Sequence, residues 1–258
     1  MSYEFITVEK DGPVTIITIN RPEKYNALNL GANRDLDAAF NSFENDPEQR
    51  VAIITGAGEK AFCAGHDLEQ QSDGKRLEAP VRGAAGLTSR FTLNKPVIAA
   101  VNGLAMGGGF EVALACDIVV AATKAKFGLP EPKVGFAALG GGTQRLPRMI
   151  GLQRAMGLLL TGRTVSAQEG YDLGFVTEVT DGPVLEAALR WAGQIAACSP
   201  LSIQATKAAV IESYCNTLEA DITDQWRAPT MVAMLDSEDA IEGPKAFLEK
   251  RAPRWKGR

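Results

Sequence analysis

Two glutamates and a run of three glycines are the places where residue type and spacing in this chain could do chemistry. Glu111 follows Gly107-Gly108-Gly109 in GLAMGGGFEVALACD, and Glu131 sits between Pro130 and Pro132 in KFGLPEPKVGF. Glycines at a helix start let a ligand approach the backbone and present N–H groups at the positive end of the helix dipole, an arrangement suited to an oxyanion. A tight packing turn is the other use of the same residues. Helical side chains lean toward the N-terminus, so a first-turn Glu111 is aimed back at the anion site. An acid there can also simply support the dipole. The neighbours Phe110, Val112, Ala113, Leu114, Ala115 and Cys116 are apolar, however, and a carboxylate among them needs a reason. Glu131, taken alone, reads equally as a solvated loop residue. Two carboxyl groups converging on one water could take a proton from it and give one to a neighbouring carbon.

A third candidate is His66, the single histidine of the 258 residues, in AFCAGHDL. Histidine is the usual general base near neutrality. One imidazole argues against an imidazole-rich metal site, and against a Ser-His-Asp triad built elsewhere in the chain. No metal is expected. The spacings G-x-G-x-x-G and G-x-x-x-x-G-K-[ST] are absent, so nucleotide-fold readings are weak. Cys63, Cys116, Cys198 and Cys215 show no CxxC spacing and read as buried free thiols, with Cys63 packed beneath the His66 turn.

The elements that must position these residues follow from periodicity. Val14 to Asn20, Val51 to Thr55, Pro96 to Asn102, Ile118 to Ala122 and Phe175 to Val179 read as strands, and KFG as a short one. Asn29 to Asn45 predicts an amphipathic helix with Leu36, Phe40 and Phe43 on one face. The triple glycine opens a helix through FEVALAC, and Gly140 to Gly142 open a second through TQRLPRMIG. Ser166 and Glu169 form an S-x-x-E capping box for a short helix ended by Gly174. Residues 70–92 are polar and irregular, and read as a mobile segment near a site. From Pro183 onward four helical stretches follow without a strand, about 183–198, 200–214, 217–235 and 237–250. This predicts a core over residues 1–182 and a helical region over 183–258, whose exposed apolar faces would serve oligomerisation.

Composition fits a soluble globular protein, with 45% apolar and 22% charged residues. A net charge of −4 gives no reason to expect nucleic acid or an anionic membrane as partner. The opening MSYEFITVEKDGPVTIITIN lacks the charge and apolar pattern of a signal peptide, and no segment approaches the ~20 apolar residues of a membrane span. The expected location is the cytoplasm.

Taken in order, AFCAGHDL, PVIAAVNGLAMGGGFEVALACD and KFGLPEPKVGF…GGGTQRLPR resemble the enoyl-CoA hydratase/isomerase (crotonase) superfamily, nearly end to end from RPEKYNAL to AFLEKRAPRWKGR. The resemblance implies an α/β fold, a spiral of ββα units with a C-terminal helical region that assembles trimers or a hexamer of two trimers. It implies an acyl-CoA substrate, no separate cofactor, and hydration of a 2-enoyl-CoA thioester or the reverse dehydration, as in fatty acid β-oxidation. It also implies an oxyanion hole made by the backbone N–H groups of His66 and Gly108, with Glu111 and Glu131 as the acid–base pair. His66 would then act through its main chain rather than its imidazole. Ala27, Leu28, Ala64, Asp67 and Leu68 match the segments that line CoA. Phe247 and Lys250 match C-terminal residues that reach the CoA of a neighbouring subunit. An isomerase, another crotonase-type thioester lyase or hydrolase, and a non-catalytic RNA-binding relative are the alternatives. GFAALGGG stands where hydratases commonly carry a proline-containing loop bordering the acyl pocket.

Overall fold

The computed structural model describes residues 3–67, 80–214 and 216–258. Strand β1 (Ile6–Asp11) turns through Gly12 and pairs antiparallel with β2 (Val14–Ile19). Beside β2 run β3 (Val51–Gly56), β5 (Val97–Val101), β7 (Ile118–Ala122) and β10 (Glu178–Thr180), each parallel to its neighbour, which gives a six-stranded sheet. A second sheet of four strands stacks β4 (Ala61–Cys63), β6 (Leu104–Met106), β8 (Lys126–Gly128) and β9 (Thr164–Ser166). Consecutive strands β3–β4, β5–β6 and β7–β8 each step from the first sheet to the second, and the chain then returns for the next turn. That stepping is the spiral of ββα units expected above.

Burial explains why the central strands are unbroken apolar runs. Every residue of β3 and β5 is buried, as parallel strands covered on both faces must be. One face packs against the second sheet, against α1 (Leu30–Asn45) with Leu36, Phe40 and Phe43 inward, and against α2 (Gly108–Ala115). Asn29 caps α1 by accepting the Ala32 N–H at 2.7 Å. After α2 come α3 (Gly142–Ile150), α4 (Leu152–Thr161) and α5 (Ala167–Leu173). Ser166 caps α5 through the Glu169 N–H at 3.1 Å, and Gly174 ends it in the left-handed conformation. Glu169 turns away to pair with Arg163, so only half of the capping box forms.

The opposite face of the large sheet is closed by α6 (Val184–Ala196), whose Val184, Ala187, Ala188 and Ala192 meet Val14, Val51, Ile53 and Ile98. Residue 183 thus begins the helix that covers the sheet. The helices beyond it are α7 (Pro200–Glu212), α8 (Leu218–Asp224), α9 (Pro229–Leu235) and α10 (Glu238–Leu248). They leave Leu218, Ile241, Phe247 and Leu248 exposed. Among the described residues no helix is long and apolar enough to cross a membrane.

Several expectations need correction. The stretch 217–235 is two helices, because Pro229 holds Ala228 extended and starts a new helix at its own position. The strand expected at Phe175–Val179 is Glu178–Thr180, since Phe175 and Val176 are drawn into the core instead of the ladder. Strands β1, β4, β6 and β9 and helix α4 were not expected. Most of these strands are only three residues long, too short for a period to show. Part of the segment 70–92 lies outside the described residues. Its part from Pro80 onward is pinned: the Arg90 side chain is 1% exposed and bonds Asp37, Asn41 and Glu44 of α1. Cys63 and Cys116 are buried thiols, but Cys198 is exposed near the end of α6. Cys215 lies outside the described residues.

Candidate active site

The site is built around the start of α2. Gly107 adopts φ 52°, ψ −126°, a conformation L side chains rarely take, and its N–H is tied to the Gly128 carbonyl of β8 at 2.9 Å. The Glu111 N–H closes the first helical turn onto the Gly107 carbonyl at 3.0 Å, so the helix itself makes no use of the amides from Gly108 to Phe110. Opposite lies the turn after β4. There Gly65 has φ 93°, and a Cβ on it would come within 3.0 Å of the Gly108 nitrogen. A Cβ on Gly108 would in turn stand 3.7 Å from the His66 nitrogen. The backbone nitrogens of His66 and Gly108 therefore lie close together across one narrow gap, which a Cβ on Gly65 would fill.

Each side of the gap is held firmly. Leu28 bridges the turn, its N–H donating to Gly65 at 2.7 Å and its carbonyl accepting from Asp67 at 3.0 Å. These bonds flank His66 on both sides. Ala64 donates to the Tyr25 carbonyl, so Ala27, Leu28, Ala64 and Asp67 gather at one end of the gap. Arg21 pairs with Asp67 at 3.1 Å and also reaches the Ala27 carbonyl. The Gly65 N–H donates to Cys63 Sγ at 3.4 Å, which puts that buried thiol beneath the turn as expected. Leu68 lies outside the described residues. Phe247 is 82% exposed at the far end of α10, and Lys250 follows it in a left-handed conformation on the same exposed surface.

Glu111 is 4% exposed. Its Oε1 accepts the Gly142 N–H at 2.8 Å. Gly140 lies so close to Oε2 that a Cβ there would overlap it. Burial raises the Glu111 pKa, while the Gly142 and Gly140 amides and the Arg145 guanidinium oppose that rise. Glu131 opens a 3₁₀ turn (Glu131–Val134) after Pro130, and its Oε1 would be 3.2 Å from a Cβ on Gly107. Its Oε2 is buried and has no hydrogen-bond partner among the described residues. Burial, with the Glu111 charge added, pushes its carboxyl up to about 7. Burial raises both carboxyls; at Glu111 two amides and a guanidinium hold that rise back, and at Glu131 the Glu111 charge adds to it. Environments that split two acids in this way assign a base and an acid.

The structure brings Glu111, Glu131, the His66 and Gly108 backbone and the Leu28 turn into one neighbourhood, together with supports that sequence reasoning did not name. Gly140, Gly142 and Arg145 hold Glu111, and Arg21 holds Asp67. The glycine cluster Gly140–Gly142 is the signal in the sequence that points to them. Among the described residues no group of His, Cys, Asp and Glu side chains is arranged to hold a metal ion.

A spiral of ββα turns that steps between two sheets, with helices closing the far face, is the crotonase class of α/β fold. The family model described as Enoyl-CoA hydratase/isomerase matches residues 9–258, and the chain belongs to that family. Carnitinyl-CoA dehydratase of Salmonella typhi is 44% identical, with 99% of each chain covered. An enoyl-CoA hydratase structure from Mycobacterium tuberculosis H37Rv superposes with a TM-score of 0.92 at 41% identity, covering 98% of this chain and 99% of that one. A probable enoyl-CoA hydratase/isomerase from Mycobacterium abscessus gives 0.91 at 42% identity, with both chains covered in full.

Proposed function

We propose that this protein is a hydro-lyase that adds water across the 2,3 double bond of a 2-enoyl-CoA thioester, or removes it from the 3-hydroxyacyl-CoA. The observation that carries this reading is the split glutamate pair beside two convergent amides. In hydration, Glu111 takes a proton from water as the oxygen bonds to C3. The C2–C3 π electrons move into the thioester, and the negative charge on its carbonyl oxygen is met by the His66 and Gly108 N–H groups. Losing one such donor typically costs about 3 kcal/mol of barrier. The enolate then reforms its carbonyl as C2 takes the proton from Glu131. Dehydration runs the same steps backward. The side chain of His66 has no part in this scheme. An isomerase needs a proton shuttle but no water activation, so two distinctly tuned carboxyls favour hydration. In the same reading, CoA runs past Ala27, Leu28, Ala64 and Asp67. Phe247 and Lys250 reach the CoA of a neighbouring subunit in a trimer or a pair of trimers.

Similarity to a carnitinyl-CoA dehydratase makes that thioester the natural companion to crotonyl-CoA in a substrate panel. Hydration is followed as loss of the conjugated enone absorbance, and dehydration as its gain. Glu131→Gln and Glu111→Gln should each lose at least ~100-fold in turnover while binding acyl-CoA nearly normally. Turnover of Glu131→Gln within a few-fold of wild type would overturn the mechanism.

A further inference from the structure

Arg145 is a half-buried cation with an unusual set of partners. It projects from the first turn and a half of α3, and among the described residues it makes no direct ion pair. Its Nη2 donates to the Thr88 carbonyl at 2.8 Å, its Nη1 makes a long 3.5 Å bond to the Gly140 carbonyl, and the Phe91 ring lies 5.8 Å from its carbon centre. Arg90 is buried more deeply and is neutralised by both Asp37 and Glu44. Burying a guanidinium without a bonded carboxylate is costly unless its charge is used nearby. The nearest use is clear from the glycine turn. Gly140 touches the Glu111 carboxylate with its Cα side and Arg145 with its carbonyl, and a Cβ on Gly141 would collide with the Arg145 guanidinium. The turn Gly140–Gly142 is a thin partition, with the carboxylate on one side and the guanidinium on the other.

We propose that Arg145 is a positioning residue that holds the Gly140–Gly142 turn against Glu111 and, through that partition, keeps Glu111 as the ionised member of the glutamate pair. The inference rests on the acid–base reading above. Burial alone would raise both carboxyls, and like charges at one site would then leave it unclear which one ionises. The Gly142 and Gly140 amides favour the charged form at Glu111, and the guanidinium, which holds that turn in place, adds to them from the same side. The coupling runs both ways, since Glu111 in turn favours the charged Arg145. Other groups around the pair do not compete. Cys116, on the Arg145 side, is held protonated by burial. Asp117 beyond it is paired with Lys207 at 2.7 Å, and Thr88 and Phe91 contribute a carbonyl and a ring.

The test is the pH profile of kcat/KM for hydration in Arg145→Met and Arg145→Lys, with folding checked by thermal melting. Glu111 must be ionised, so the ascending limb reports it, and removing a positive charge moves that limb to higher pH. Arg145→Met should shift it by about 0.5 pH unit or more, in keeping with the loss of a nearby opposite charge. Arg145→Lys should keep the limb close to wild type while losing turnover, because the longer fork to Thr88 and Gly140 is gone. Arg145→Gln keeps a donor for the Thr88 carbonyl and supplies the neutral variant if the Met protein does not fold. Folded neutral variants whose turnover falls with the limb unmoved would overturn the role of Arg145 alone. A wild-type protein without hydration activity on the thioester panel would overturn both readings.

Discussion

Gly109→Ala would displace the Gly108 amide of the proposed oxyanion hole, and Glu111 with it, by shifting α2. A Cβ on Gly109 would stand 2.7 Å from the Cys63 carbonyl carbon and 2.8 Å from Cys63 Cβ, with the carbonyl oxygen nearer still. Ordinary contact begins near 3.4 Å, and the carbonyl oxygen is the nearest atom, so α2 must withdraw from β4 by roughly 1.3 Å. Cys63 is fully buried on a paired strand and cannot give way. The conformation of Gly109 is helical, so alanine introduces no backbone strain, and the effect is displacement alone. Gly108 rides on α2 and His66 on the β4 turn, so the gap between their amides opens by the same amount. A misplacement near 1 Å costs about 10²-fold in rate, and loss of one donor about 3 kcal/mol. Turnover should fall between ~30- and ~300-fold. Overpacking should cost about 1–3 kcal/mol of stability, seen as a Tm lower by several degrees. Glu111 rides on α2 as well and is drawn away from the Gly142 amide, so the ascending limb should move to higher pH while the descending limb set by Glu131 stays in place. A Gly109→Ala protein with lowered Tm but turnover within five-fold of wild type would refute the claim that this gap holds the reacting oxygen.

His66→Ala should retain activity within about tenfold, since the scheme uses the main chain; a collapse of the rate together with loss of a limb near the ordinary histidine pKa of ~6.5 would refute it. Hydration needs Glu131 protonated, and its carboxyl is pushed up to about 7, so kcat/KM should descend as pH rises through that value; a rising profile there would contradict the assignment. A carboxyl raised in the folded state stabilises the fold below its unfolded pKa and loses that contribution as pH climbs through about 7. Glu131→Gln should therefore raise Tm relative to wild type more at pH 8 than at pH 5 in parallel melts. Deletion from about residue 217 should break the oligomer and abolish activity with both glutamates intact, and an active monomer in sedimentation would refute that.

What the sequence made legible follows from how each feature is encoded. The buried strands β3, β5 and β7 and the helix with Leu36, Phe40 and Phe43 announce themselves by period, because burial acts on several consecutive turns or residues. The small second sheet does not, since three residues carry no period and its pairing is decided by distant partners such as Lys126 with Ser166. Glu111 was found because a charge in an apolar helix is conspicuous. Its supports were hidden for the opposite reason. Gly142 and Arg145 lie more than thirty positions further on, in a stretch whose glycines equally suit any helix start. The partition between Glu111 and Arg145 exists only once the chain has turned back on itself.

The single bridge between Leu28 and His66 gives the site a lever. Leu28 is 1% exposed and bonds both residues that flank His66, so the chain from Tyr25 to Leu28 and the turn from Ala64 to Asp67 shift together or not at all. A force applied at Ala27 is delivered to the tilt of the His66 amide. Whatever grips this turn at its outer end thereby also trains the hydrogen-bond donor at its inner end.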